Sequence, residues 1–345
     1  MKNRYGLIFF LVILSQICSS FAYGENLIHG VGVHPYKYKG TSESFVSLMQ
    51  DYDVQSFRTD FPWGDVESTK GKYTFPKGNM KSILDLVDNK NITPLLILGY
   101  GNKNYEDFTP GNPRGKPTKQ STIDAYVNYA RWTAENVKNP RLILEIWNEW
   151  IQMAGKVNRS AALSNESALI YAKLAIDTCK AIKSVNPDIT VIIGGTSPFD
   201  KFSTTWLENV IKNGAMDCAD GISLHPYDYS RFRQLNANRT IASISTMHDQ
   251  LQSTFGKSFP FYITEIGVPD GSSSSKSPDQ VSAYLNDFYQ KANSLGYIKG
   301  IWWYDFINDG SDKNNREHNF GLLDHTLEPK SSAKMFKDLS QSSTR

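Results

Sequence analysis

This 345-residue chain has no block of like charge: 37 basic against 35 acidic side chains give a formal net charge of +2. Without a basic stripe there is no electrostatic footprint for nucleic acid. It is poor in cysteine, with three in all, and its histidines stand singly with no Cys-x-x-Cys or His-x-x-x-His spacing. That absence argues against a structural or catalytic zinc, and neither a metal nor another cofactor is expected. Long apolar runs are missing beyond the first residues, so no stable membrane anchor is expected. No internal repeat and no Pro-rich linker divides the chain, which reads as one domain.

The apolar run that does exist lies at the amino terminus. Lys2 and Arg4 precede an unbroken stretch from Leu7 to Leu14, and Ser20-Phe21-Ala22 offers small residues where a signal peptidase reads. We expect residues 1–22 to be a signal peptide cut after Ala22, and residues 23–345 to form the single folded domain of a secreted or periplasmic protein. Ile17 stands before Cys18 where lipidation would require a small residue. Two cysteines then remain, Cys179 and Cys218. An exported chain could pair them, but Cys179 falls on a predicted helix and could equally be a buried thiol.

What the chain has in quantity is alternation of strand-like and helix-like segments. Eight strands are predicted: Ile28 to His34, Ser56 to Phe61, Thr93 to Tyr100, Leu142 to Asn148, Thr190 to Gly194, Gly221 to His225, Phe261 to Glu265 and Gly300 to Tyr304. Between them, stretches such as Met80 to Asn89, Ile123 to Val137, Ser167 to Val185 and Asp279 to Leu295 repeat apolar residues every three and four. Asn186-Pro187-Asp188 ends the longest helix, and Ser277-Pro278 starts another. A final helix is expected over Ser331 to Leu339. This is the pattern of an α/β protein, a (β/α)8 TIM barrel, whose chemistry sits at the carboxyl ends of its strands.

Two glutamates occupy such ends. Glu149 closes Leu144-Glu145-Ile146-Trp147-Asn148-Glu149-Trp150, and Glu265 follows Phe261-Tyr262-Ile263-Thr264. A strand apolar almost to its last residue and then carboxylic has placed a charge at the rim of a core. His34, Arg58, Asp60, Asn148, His225, Tyr227, Trp302 and Trp303 also end predicted strands. Such a ring of polar and aromatic groups, in a chain with 12% aromatics, suits sugar rings, which pack on aromatic faces and hydrogen-bond at their edges.

The runs Glu145-Ile146-Trp147-Asn148-Glu149, Ser223-Leu224-His225-Pro226-Tyr227, Thr264-Glu265-Ile266-Gly267 and Trp302-Trp303-Tyr304-Asp305 resemble the clan A retaining glycoside hydrolases. Within that clan the chain resembles above all family 39 and the hydrolases of bacterial biofilm exopolysaccharide, a likeness strengthened by Asp309-Gly310, Asn319-Phe320-Gly321-Leu322 and Pro329-Lys330. The resemblance spans roughly residues 28 to 335. It implies Glu149 as general acid/base and Glu265 as nucleophile, with Asn148 on the sugar 2-hydroxyl, Arg58 keeping Glu265 ionised and Tyr227 orienting it. It further implies that Trp302 or Trp303 floors the subsite where the ring is distorted, and that the linkage cut is β. Family 39 xylosidases carry a β-sandwich after the barrel, whereas this sequence ends with the eighth helix. We therefore expect an open groove and internal cleavage of a polysaccharide or oligosaccharide by a monomer.

Plainer readings stand beside several of these. Glu145 alternates onto the same side as Glu149 and is expected to be a buried partner of Arg58 rather than a catalytic group. His34 and His225 could be hydrogen-bonded rim residues, Asp60 could cap the following loop, and Trp63 could belong to the core. Trp150, beyond the strand end, is expected to touch ligand more than Trp147. The whole chain could also be a non-catalytic carbohydrate-binding barrel, or a metal-dependent hydrolase using His34, His225 and a glutamate.

Overall fold

The computed structural model describes residues 27–152, 159–272 and 274–342; the expected signal peptide lies outside them. Eight parallel strands close on themselves in chain order: β1 Ile28–Gly32, β2 Ser56–Pro62, β3 Thr93–Gly99, β4 Ile143–Ile146, β5 Thr190–Thr196, β6 Gly221–Leu224, β7 Phe261–Ile266 and β8 Ile298–Trp303. The β1–β8 register, Ile28 with Gly300 and Gly30 with Trp302, completes the circle. All eight predicted strands are present, in one (β/α)8 domain.

Helices wrap the barrel between strands: α1 Ser42–Asp51, α2 Trp63–Val66, α3 Met80–Asp88, α4 Gln120–Asn136, α5 Arg159–Ala162, α6 Asn165–Val185, α7 Lys201–Lys212, α8 Ala237–Phe255, α9 Pro278–Asn293 and α10 Ser331–Ser342. Their starts follow capping chemistry. Ser277 accepts from the Gln280 backbone N–H while the Gln280 side chain accepts from the Ser277 N–H, a reciprocal box with Pro278 in the first turn. Ser164 caps α6, which stops before Asn186-Pro187 because proline cannot follow a residue in helical conformation cheaply. In α3 the buried residues are Met80, Ile83, Leu84 and Val87, a stripe at helical spacing pressed on the strands. No helix among the described residues is long and apolar enough to cross a membrane.

The main core fills the layer between strands and helices; a second, smaller one lies inside the barrel, where Leu95, Ile143, Ile192 and Trp302 pack together. Trp302 fills that interior because its neighbours are glycines. A Cβ on Gly30 would come within 2.4 Å of the indole and one on Gly300 within 2.7 Å. Cys179 on α6 and Cys218 form a disulfide, which settles the alternative left open by the sequence. Trp63 belongs to the core, stacked on Tyr105 and bonded to Glu67.

Candidate active site

Inward-facing residues of the barrel form layers, and the layer above Trp302 is charged. Arg58, two residues after Ser56 on β2, donates from Nε to Glu145 Oε2 at 2.7 Å; both side chains are buried. Glu145 Oε1 also accepts from Ser223 Oγ and Thr264 Oγ1, so strands β2, β4, β6 and β7 meet at one carboxylate. This is the buried pair the alternation of β4 implied.

The same guanidinium reaches up to the rim. Its Nη1 donates to Glu265 Oε1 at 2.6 Å and its Nη2 to Asn148 Oδ1 at 2.9 Å. Asn148 Nδ2 in turn donates to the Tyr100 hydroxyl at 3.0 Å, which leaves its second N–H for a ligand. Tyr227 donates its hydroxyl to Glu265 Oε2 at 2.9 Å.

Glu149 arrives by a different route. β4 ends at Ile146, two residues earlier than expected, because Trp147 and Glu149 adopt left-handed backbone with φ of 65° and 49°. Non-glycine residues accept such conformations only where surrounding structure compels them. Here the turn brings the Glu149 backbone against Gly195, where a Cβ would lie 2.8 Å from the Glu149 nitrogen. Its side chain then meets His225, whose Nδ1 is 3.0 Å from Glu149 Oε1 and 3.8 Å from Glu265 Oε2. His225 Nε2 is held by Thr264 Oγ1 at 3.0 Å. One oxygen from each glutamate and a nitrogen of His225 lie within 4.8 Å of one another.

Electrostatics fix the charge of Glu265. Burial pushes Glu265 up, but His225, Arg58 and the Tyr227 hydroxyl overcome it and hold the carboxyl at about 2. For His225 burial works against the cation, and the neighbouring Glu265 and Glu149 outweigh it, so its value rises. Asp60, beside Arg58, is raised by burial.

The cleft over these groups has a volume of about 560 Å³ and is lined by His34, Arg58, Asp60, Asn148, Glu149, Tyr227 and Glu265, among others. Asp60 thus faces the pocket. His34 lines it from one side while bonded through Nδ1 to Asp309 Oδ1 at 2.9 Å. His225 lies just beneath it, buried between the glutamates.

Three expected ligand contacts are corrected. Trp302 is sealed inside the barrel with its Nε1 on Ser56 Oγ, and Trp303 is packed in the outer core. Neither reaches the cleft. Alternation gave the right face for Trp302 but the wrong depth: Tyr304, two residues on, lines the cleft instead. Trp150 is also buried, against Trp147 and Tyr171, with Nε1 bonded to Ser167. The loops supply the aromatic wall, as Tyr304 and Tyr227 pack edge-on to Phe320 and Tyr229 joins them. Phe320 belongs to the run Asn319-Phe320-Gly321-Leu322, whose sequence does not place it in the cleft, and Tyr229, two residues past Tyr227, carries no separate signal.

A family model described as cellulase (glycosyl hydrolase family 5) matches residues 20–305. Among solved structures, a family 39 glycoside hydrolase from the gut symbiont Bacteroides cellulosilyticus WH2 is 27% identical with a TM-score of 0.71, over 92% of this chain and 64% of its own. The chain thus spans just under two thirds of that protein's length. Xylanase 10B from Thermotoga maritima is 15% identical with a TM-score of 0.66, over 92% of this chain and 96% of its own. A monomeric beta-xylosidase from Caulobacter crescentus CB15 is 16% identical with a TM-score of 0.65, over 91% and 67%. Identities that low speak for the fold alone. No curated protein matches the chain.

Proposed function

Since the chain belongs to the cellulase family of glycosyl hydrolases, family 5, we propose that it is a retaining glycosidase that cuts β-linkages within a polysaccharide, using Glu149 as acid/base and Glu265 as nucleophile. The observation that carries this reading is the approach of the two carboxylates, with oxygens within 4.8 Å across an open cleft. Retaining enzymes hold their carboxyl groups about 5–5.5 Å apart, too close for an intervening water.

In the first half-reaction Glu149 gives its proton to the glycosidic oxygen as that bond breaks, and Glu265 bonds to the anomeric carbon. Arg58 and Tyr227 keep Glu265 ionised and aimed, while His225 fixes the Glu149 side chain. Esterification then removes the Glu265 charge, and Glu149, now a carboxylate, takes a proton from water as the water oxygen attacks the anomeric carbon. The ester bond breaks and Glu265 regains its charge. Asn148, with one N–H uncommitted, binds the neighbouring sugar hydroxyl, and Tyr304 faces the ring.

Internal cleavage is supported by the shape of the mouth. The cleft shares Val33 and His34 with a pocket of about 540 Å³ between the β1 and β8 loops, and shares Glu149 and Gln152 with a recess of about 230 Å³ beyond β4 and β5. Adjoining recesses of that extent have the volume of several sugar units. The leader-like amino terminus and the Cys179–Cys218 disulfide support export to the periplasm or beyond, with a bacterial exopolysaccharide or related glycan as substrate and the monomer as the acting unit.

The test is a pair of variants on two classes of substrate. Glu265→Ala should lose turnover on every glycan and aryl β-glycoside. Glu149→Ala should lose natural glycans yet still form the glycosyl-enzyme from aryl glycosides whose leaving group needs no proton. Equal losses for both leaving-group types in Glu149→Ala, or wild-type enzyme releasing no reducing ends from any β-glycan while Glu265→Ala still binds them, would overturn the reading.

A further inference from the structure

In the loop between β3 and α4, Arg114 and Lys116 are half-buried cations with no acid against them among the described residues. Arg114 lies over the ring of Tyr100, its guanidinium carbon 5.1 Å from the centroid, and donates from Nη2 to Gln152 Oε1 at 2.6 Å. Its Nη1 is buried with no hydrogen-bond partner among the described residues. Lys116, two residues on, sits 5.3 Å over the ring of Trp150 and is half-buried. Among the described residues neither forms an ion pair, and residues 153–158, which follow Gln152, include no Asp or Glu in the sequence.

The acids of this loop are engaged elsewhere. Glu106 takes Lys119 at 2.7 Å and Ser121 at 2.8 Å, while Asp107 accepts from the Thr118 hydroxyl and from the backbone N–H groups of Thr118 and Lys119. Two half-buried cations side by side are unfavourable both through lost hydration and through repulsion. Burial, then Arg114, draw the Lys116 ammonium down to about 8. Stacking on Tyr100 and Trp150 offsets part of this. It does nothing for Nη1.

Position indicates what would complete the pair. Tyr100 and Gln152 line the cleft, Gln152 is also shared with the recess beyond Glu149, and the Tyr100 hydroxyl is bonded by Asn148. A neutral amide therefore stands between the guanidinium and the groove. We propose that Arg114 and Lys116 form a recognition site for the carboxylate of a uronic acid unit beside Glu149, so that the substrate is an acidic β-glycan. This rests on the glycosidase reading and narrows it. The planar carboxylate replaces Gln152 on the Arg114 fork, in a charge-assisted contact that a neutral sugar cannot make, and its charge relieves the repulsion with Lys116.

The inactive Glu265→Gln variant allows binding to be measured by calorimetry against two ligands of one length: a cello-oligosaccharide, and the same oligosaccharide oxidised at C6 to β-linked glucuronate. The oxidised ligand should bind at least about tenfold tighter at low salt, and about 0.5 M salt should erase most of that preference. Adding Arg114→Gln and Lys116→Met should abolish it, while Arg114→Lys, which keeps charge and loses the fork, should retain a weaker, salt-sensitive remainder. Equal affinity for the two ligands, or a preference that survives in the variant lacking both cations, overturns the proposal. Turnover of activated aryl β-glycosides by wild-type protein is measured alongside. Its absence would defeat the glycosidase reading by itself, whatever the calorimetry shows.

Discussion

Arg58 donates to Glu265 across 2.6 Å, and the same guanidinium is bound from below by Glu145 at 2.7 Å. The cation at the rim is thus held by a carboxylate one layer deeper, so the electrostatics of the cleft depend on a residue that never touches it.

Substituting Glu145 should therefore damage both stability and activity. Glu145→Leu takes the deeper carboxylate from Arg58, which keeps Glu265 and Asn148, and removes the acceptor shared by Ser223 and Thr264, a loss of about 3 kcal/mol for a broken buried pair. Glu145→Gln, which keeps the shape and some hydrogen bonds, should lose less stability while still lowering kcat. Denaturant melts paired with kinetics would reveal this, and a Glu145→Leu protein of wild-type stability would refute the role.

His34 carries a pH signature. Burial opposes its cation, but the hydrogen bonds and charges of Asp305 and Asp309 prevail and raise it from 6.5 to about 9. Lys37, on the other Asp309 oxygen at 2.5 Å, and Asp60, which interacts with His34 through its charge, also face it. A folded value above the unfolded one means that the stabilisation is fully present below about pH 6.5 and is lost as pH climbs towards 9. The difference in unfolding free energy between wild type and His34→Asn should shrink across that window. A flat difference would contradict it.

Trp302 and Tyr304 lie on one face of the same chain segment and should behave oppositely. Trp302→Ala should cost about 3–5 kcal/mol by opening a cavity in the barrel, with binding of ligand by the folded fraction little changed. Tyr304→Ala should leave the melting temperature nearly intact and lower kcat/KM by about tenfold, the scale of one aromatic contact. Were Tyr304→Ala kinetically silent, the wall would have been misassigned.

Reduction offers a fourth measurement. The Cys179–Cys218 bond spans a sequence separation of 39 residues, for which loop closure predicts about 4 kcal/mol of stabilisation. Reductant, or Cys218→Ser, should lower the melting temperature without altering kcat at temperatures where the protein stays folded. Unchanged melting would show that the loop is held by packing alone.

The sequence by itself determined the barrel and which residues stand at its carboxyl face, since strand order, period-two alternation and helix caps are local properties of the chain. Glu145 was legible as a partner of Arg58 for that reason, and so was the approach of Glu149 and Glu265 to one mouth. Depth and pairing were not legible. Whether Trp302 or Tyr304 meets the cleft depends on the glycines of neighbouring strands that make room for an indole; whether two cysteines join depends on how α6 sits against the segment before β6. That Arg114 and Lys116 have no counter-charge among the described residues is likewise visible only once the folded chain shows where Glu106 and Asp107 have gone. Local rules set the direction in which a side chain points; only the packed tertiary structure decides what it finds there, because partners distant in sequence are brought within contact range by closure of the barrel.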